Sequence, residues 1–447
     1  MKLRSNILLA FLLLPLFAFA QVTGKIGGKA GGVVKPSINY DNVKPSDIVA
    51  PLLDSAEVGR MADDSVYLFF SESFNTDSIP ATTAFTVSGV YGSPSVNAVS
   101  VSNDTILLRV ASDVYWGDVA TVTYTQPSTG RLQDARGNKT ASFTDSAVTN
   151  NTGFVSGYQA VYNAYTTKPV DSLSKFYNRA VKLLDDSARW TRIDGLYVFA
   201  NHTNANGEAL YNWKNPTGTT NGTNYNSPVH TANQGLQYSG TTNYTNLNFT
   251  SSVDGVNYTQ NSATFGLYIR TNIAINSTFH GTAFNTDLKD CLIASRYATN
   301  FAHIRTNDGT QISSANANGS GLYFNTRTAS NIKKLYRNDS PIINGTTAST
   351  GVPTHKFYVG ACNDDDIATG FRADQVSIVI IMDGMSQTDV TVVGAILNAL
   401  MTNLGTNVYS PTWLVFVIML VVYTGNRKKL RNEKDIIHIN TDYRLAA

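Results

Sequence analysis

Apolar side chains recur at every second position through much of residues 48–152. Val66, Leu68 and Phe70 do so in SVYLFFSE, Val99 and Val101 in NAVSVSN, Ile106, Leu108 and Val110 in TILLRV, and Val122 and Tyr124 in ATVTYT. Alternate residues of an extended chain point to one face, so each run predicts a half-buried strand. Gly, Pro, Asn and Asp separate the runs, and roughly seven strands in about a hundred residues predict an antiparallel sandwich.

The period changes after Pro169. Leu173, Phe176, Tyr177, Ala180, Val181 and Leu184 recur at spacings of three and four within 170–188, behind a capping position at Asp171. This predicts one amphipathic helix, whose apolar stripe must pack on the next domain because so short a helix is marginal alone in water. Strand patterns return in GLYVFA, GLQYSG, ATFGLYIRTNI, CLIASRY, GLYFNTR, IKKLYRND and HKFYVGA. Long Asn-, Thr- and Gly-rich connections join them, which favours a large jelly-roll sandwich over a small barrel. The apolar run in QVSIVIIMDGMSQTDV then passes through Gly384 into a helix over 386–404, capped near Ser386 or Thr388.

Two stretches resemble known families. LFFSESF, FTVSG, VSVSNDTILLRV, WGDVATVTYTQP and LQDARGNKTASFTDSAVTNNT follow the order of the Ig-like repeat named for a cyanobacterial swimming protein, over about 48–152. That resemblance implies a spacer or adhesin module without catalysis. GLQYSGTTNYTNLNF, KKLYRNDSPI, KFYVGACNDDD and the terminal strand-to-helix run resemble a concanavalin A-like or laminin-G-like sandwich over about 155–405, of the kind in bacterial surface and phage tail proteins. The expected fold is therefore all-β, an Ig-like sandwich followed by a concanavalin A-like jelly roll.

At 447 residues the chain exceeds a single ordinary core, in keeping with two domains. Residues 1–20 carry Lys2 and Arg4, an apolar stretch and a small-x-small AFA, the pattern of a secretory signal. Residues 21–47 are Gly-, Lys- and Pro-rich and read as a flexible leader; they lack the spacing of a phosphate-binding loop. The domains follow at 48–152 and 153–407. Residues 408–424 are apolar and precede a basic tail, 425–447, so they read as a membrane-spanning or sorting segment. A charged fraction of 15% and a net charge of +2 give no basic surface for nucleic acid.

The chemistry-bearing residues are sparse. A glycosidase on this sandwich would set two carboxylates across a scissile bond. Of the four glutamates, Glu57, Glu72, Glu208 and Glu433, only Glu208 lies in the larger domain, and no Glu-x-Asp-x-x-Glu pattern occurs. The six histidines are scattered, and no nucleophile elbow or zinc motif is present. His202 and Glu208 share a polar run of turn-forming residues. Asp134, Gly137 and Asn138 suit either a hairpin turn or a calcium loop. Beside the polar run, Tyr211 and Trp213 are either core residues or an aromatic surface for stacking on a sugar. Asp364, Asp365 and Asp366 are either a solvated turn or hard oxygen ligands for calcium, which domains of the resembled kind often hold at the rim. Cys291 and Cys362 could pair or remain free thiols.

Together these features predict an exported, non-catalytic adhesion or carbohydrate-recognition protein on the cell envelope, with a surface glycan as partner. A phage tail or fibre protein with a receptor-binding sandwich is the alternative, and a glycoside hydrolase a more distant one.

Overall fold

Val66, Leu68, Phe70, Ile106, Leu108, Val110, Val122 and Tyr124, the alternating positions of the first segment, are all buried in one core. Val99 and Val101 pack against it half-buried. The computed structural model describes residues 47–60, 62–283 and 287–408. The secretory-type segment, nearly all of the leader, all but Val408 of the apolar segment 408–424 and the basic tail lie outside these residues.

The first module is a sandwich of two sheets. One runs in the order Val96–Ser102, Thr105–Val110, Ser65–Phe70, Leu53–Val58 and Thr149–Asn150, and the other Phe85–Ser88, Thr121–Tyr124 and Phe143–Ala147. DARGN makes a hairpin turn. Asp134 accepts hydrogen bonds from the Arg136 and Asn138 N–H groups (both 2.8 Å) and from Asn138 Nδ2 (2.7 Å), while Gln133 pairs with Lys139.

The larger domain has three layers. A helix-backed sheet orders Val229–Thr231, Gly235–Gln237, Gln375–Met382, Ala263–Ile269, Gly321–Ala329, Ile332–Arg337 and Ser340–Gly345, with Ile193–Val198 also paired to Gln375–Met382. A front sheet lies against it in two adjoining segments. Its six-stranded segment orders Ile312–Ala315, Phe301–Thr306, Cys291–Ala294, His280–Ala283, Cys362–Asp364 and Ile367–Thr369. The other is Thr223–Tyr225, Tyr244–Thr250 and Lys356–Val359. The third layer is helical: α1 (Ser156–Ala164), α2 (Asp171–Asp186) and, after the one-turn α3 (Ser251–Asp254) elsewhere, α4 (Gln387–Asn403).

Strand Gln375–Met382 ends in five apolar residues in a row, Ile378 to Met382, rather than alternating, because both of its faces are covered. Val379 and Ile381 face the front sheet, whereas Ile378, Ile380 and Met382 face the helices. Gly266, on the neighbouring strand, leaves room for its two cross-strand partners: a Cβ there would sit 2.7 Å from Ile380 Cγ2 and 2.8 Å from Phe324 Cδ1.

Two helices match the periodic stretches, and α4 is capped by Ser386, whose hydroxyl accepts from the Asp389 N–H (3.2 Å) in a reciprocal capping box. Helix α1 was not anticipated, although Tyr158, Val161, Tyr162 and Tyr165 carry helical spacing. It packs with α2 over the sheet, burying Tyr158 and Val161.

The first module docks on α2. Asp118 accepts from the Tyr91 and Tyr115 N–H groups (3.2 and 3.1 Å) through one oxygen and from Arg179 Nη2 (2.6 Å) through the other. The Arg179 guanidinium also lies over the rings of Tyr91 and Tyr115, 4.0 and 5.1 Å from their centroids. Lys182 reaches Asp113 at 2.7 Å, and Trp116 meets Phe154 with ring centroids 4.4 Å apart.

Candidate functional site

The outer face of the front sheet carries a stack of three tyrosines. On strand Tyr244–Thr250, Leu247 and Phe249 enter the inter-sheet core, so Tyr244 and Asn246 face outward. On Lys356–Val359, Phe357 and Val359 are inside and Tyr358 is outside. Antiparallel register sets Tyr225 directly opposite Tyr244, and Asn246 opposite Tyr358. Ring centroids of Tyr225 and Tyr244 are 4.7 Å apart and nearly parallel (1°), and Tyr244 and Tyr358 follow at 4.7 Å and 29°. Phe371 leans on Tyr244 at 6.3 Å.

Position along the stack decides what each ring can offer. Tyr244 is covered by a neighbour on each side, and Tyr358 is only 5% exposed. Tyr225 is 42% exposed and stands on the edge strand of its segment, so its outer ring face is the open one. Burial pushes the Tyr358 hydroxyl above its ordinary range, helped by Tyr244, Asp366 and Tyr225, and burial raises Tyr244 likewise. Both hydroxyls stay neutral at physiological pH and can donate or accept hydrogen bonds. A flat apolar face bordered by hydroxyls and amides is what a sugar ring complements, with its C–H face on the aromatic ring and its hydroxyls on the polar rim.

The sequence-derived candidates fall elsewhere. Trp213 is 1% exposed and packs on Tyr158 and Tyr177 beneath the helices, with no surface to present. Tyr211 is half-buried and stacked on Tyr165 at 5.7 Å. Glu208 is fully buried and organises its loop: Thr167 N–H (3.0 Å), Asn206 N–H (2.8 Å) and Asn206 Nδ2 (3.0 Å) all donate to its carboxylate. Burial would raise this acid, but the hydrogen bonds from Asn206 and the nearby backbone outweigh it and hold it at about 2. His202 Nε2 lies 2.8 Å from the Thr167 carbonyl oxygen, so the polar run is a self-satisfied loop.

Asp365 and Asp366 are the two corner residues of the hairpin between Cys362–Asp364 and Ile367–Thr369. Their φ values of +53° and +61° are those of a type I′ turn. Asp365 Oδ1 lies 3.5 Å from His355 Nε2. Among the described residues, Asp364, Asp365 and Asp366 do not gather around one point. Buried charge in this domain serves packing: Asp374 binds Arg372 and accepts from His280 Nε2 (3.0 Å), while His280 Nδ1 accepts the Gly360 N–H (2.9 Å). Burial opposes ionisation of Asp374, yet Arg372 and His280 keep it at about 2.

Cys291 and Cys362 are free and buried. On strand His280–Ala283 they pair with the adjacent residues Thr282 and Gly281, so their side chains point to opposite faces of the front sheet and cannot join. Burial pushes both thiols up to about 12.

Sequence reasoning missed the tyrosine stack. Only Tyr358 lies in a recognised strand run, HKFYVGA, and only cross-strand pairing brings positions so far apart in the chain side by side.

Residues 46–129 match the family model described as "Putative flagellar system-associated repeat", which spans most of the first module. No curated protein matches the chain in sequence. Similarity to solved structures is shallow. Domain 4 of an extracellular arabinanase from Geobacillus stearothermophilus, solved with arabinotriose, is 11% identical, with 45% of this chain and 98% of that one covered and a TM-score of 0.29. The Ruminococcus gnavus IT-sialidase CBM40 bound to alpha2,3 sialyllactose is 12% identical over 40% of this chain and 99% of that one, at 0.28. Trypanosoma rangeli sialidase in complex with sialic acid is 12% identical at 0.34; the match covers 68% of this chain and only 45% of the sialidase.

Proposed function

We propose that this protein recognises glycans, seating a pyranose ring on the open face of Tyr225 and holding the adjoining sugars along the hydroxyl edges of Tyr244 and Tyr358. The Tyr225–Tyr244–Tyr358 stack carries this reading: three stacked rings, Tyr225 directly opposite Tyr244 and Tyr358 diagonal to it, ending in a Tyr225 that is 42% exposed. Its role is retention rather than turnover, since Glu208, the sole glutamate of the larger domain, is committed to its own loop. The first module serves as a spacer docked on α2. Export and display on the cell envelope follow from the secretory-type and apolar terminal segments of the sequence.

The test is a glycan array probed with the full chain and with Tyr225→Ala, in calcium and in chelator. Binding that falls at least about threefold in the variant, without a change in thermal stability, supports the proposal. Binding confined to calcium would add the Asp364–Asp366 hairpin as a second contributor. A blank array, or equal binding by both proteins, would overturn the tyrosine site.

A further inference from the structure

We infer that the first module carries an arginine-recognition pocket, built from Tyr91, Tyr115 and Asp118, whose occupant is Arg179 of α2. The Tyr91 and Tyr115 rings form a corner, nearly perpendicular (81°) with centroids 6.0 Å apart. The guanidinium of Arg179 lies in that corner, against both rings, and donates from Nη2 to Asp118 Oδ1. The contacts that shape the corner come from the first module itself. Asp118 N–H closes the turn Tyr115–Asp118 on the Tyr115 carbonyl oxygen (3.0 Å), with Gly117 at a φ of +82°. The second Asp118 oxygen accepts from the Tyr91 and Tyr115 N–H groups, and Asn150 Nδ2 donates to the Tyr115 and Asp118 carbonyl oxygens (2.9 and 3.0 Å). Burial raises both tyrosine hydroxyls, so both rings stay neutral phenols at physiological pH. The pocket is thus preorganised, and Arg179 enters it from the neighbouring domain.

Charge alone does not account for an arginine here. Further along α2, Lys182 is met by carboxylates, Asp113 at 2.7 Å, Asp186 at 3.1 Å and Asp63 at 3.8 Å, which is the setting of a compact ammonium. Arg179 is met by two rings and one carboxylate oxygen, and its Nε is buried without a hydrogen-bond partner. A fork of paired hydrogen bonds is therefore not what the pocket reads. It reads a cation that can lie against aromatic rings out of water, and a guanidinium, more weakly hydrated than an ammonium, gives up less to do so. A desolvated contact of this kind shifts a docking equilibrium by about thirtyfold.

The experiment follows the thermal midpoint of the full chain by calorimetry. Arg179→Lys keeps the charge yet should fall nearly as far as Arg179→Ala, on the order of 4 °C. Methylguanidinium should restore part of the midpoint lost in Arg179→Ala, and methylammonium at the same concentration should restore less. Tyr91→Leu, which leaves the ion pair in place, should lower the midpoint of the unaltered chain and lower that of the Arg179→Lys chain less. An Arg179→Lys chain as stable as the unaltered one would overturn the pocket, as would equal rescue by the two cations. So would an equal loss from Tyr91→Leu in both backgrounds, a result that needs no rescue and stands even if Arg179→Ala fails to fold.

Discussion

Arg179 on α2 and Asp118 on the first module form an ion pair of 2.6 Å, with both side chains less than a tenth exposed. The pair joins two domains whose sequences gave no hint of how they meet. Asp118 is already held by two backbone N–H groups, and the Arg179 guanidinium lies against the rings of Tyr91 and Tyr115, so neither charge can turn to solvent without breaking several contacts.

Removing one partner leaves the other charge buried and uncompensated. Arg179→Met should destabilise the protein by about 3–5 kcal/mol, and adding Asp118→Asn should recover part of that loss. Urea unfolding of the two single variants and the double variant measures the coupling; strict additivity would show that the pair contributes nothing as a pair.

The tyrosine stack separates affinity from stability. Tyr225→Ala should change unfolding free energy by less than about 1 kcal/mol while weakening glycan binding about threefold to tenfold. Tyr358→Ala, at a 5% exposed position, should cost about 2–4 kcal/mol of stability as well. Parallel thermal scans and binding curves distinguish the two positions.

Acid should unfold the larger domain through specific carboxylates. Glu208 and Asp374 are held at about 2 in the fold, below the ordinary acid range near 4. A lowered folded value means stability that is complete above the unfolded value and is lost as pH falls from about 4.5 towards 2. Glu208→Gln should flatten that slope by about one proton while costing about 1–3 kcal/mol at neutral pH, because an amide cannot accept from all of the Thr167 and Asn206 donors. Unfolding curves at a series of pH values read both effects.

Cys291 and Cys362 on opposite sheet faces predict that a reductant leaves the thermal midpoint unchanged. Thiol reagents should label neither residue in the native protein and both after denaturation. A reductant-sensitive midpoint would contradict the placement.

Local pattern carried much of this fold. The alternation at Val66, Leu68 and Phe70 and the helical spacing from Leu173 to Leu184 each describe an element that must hide one face, and both stand where the pattern put them. Helix α1 escaped because its periodic positions are mostly tyrosines, Tyr158, Tyr162 and Tyr165 beside Val161, and tyrosine serves surface and core alike. The helical layer was hidden in an apparent contradiction, the unbroken apolar run Ile378 to Met382, which makes sense only when both faces are covered. Tyr225, Tyr244 and Tyr358 were beyond any local pattern, because register between distant strands is set by turns and bulges elsewhere. Glu208 could be weighed only after its donors were known, since an acid's role depends on whether its oxygens are already engaged.

Strand Gln375–Met382, clothed on both sides, also fixes where the chain tolerates cutting. A fragment ending before Ser386 would strip α4 from Ile378, Ile380 and Met382 and lay bare a sticky hydrocarbon wall in the middle of a wide sheet. Such a truncation should clump rather than fold, so the larger domain must be produced with its closing helix attached.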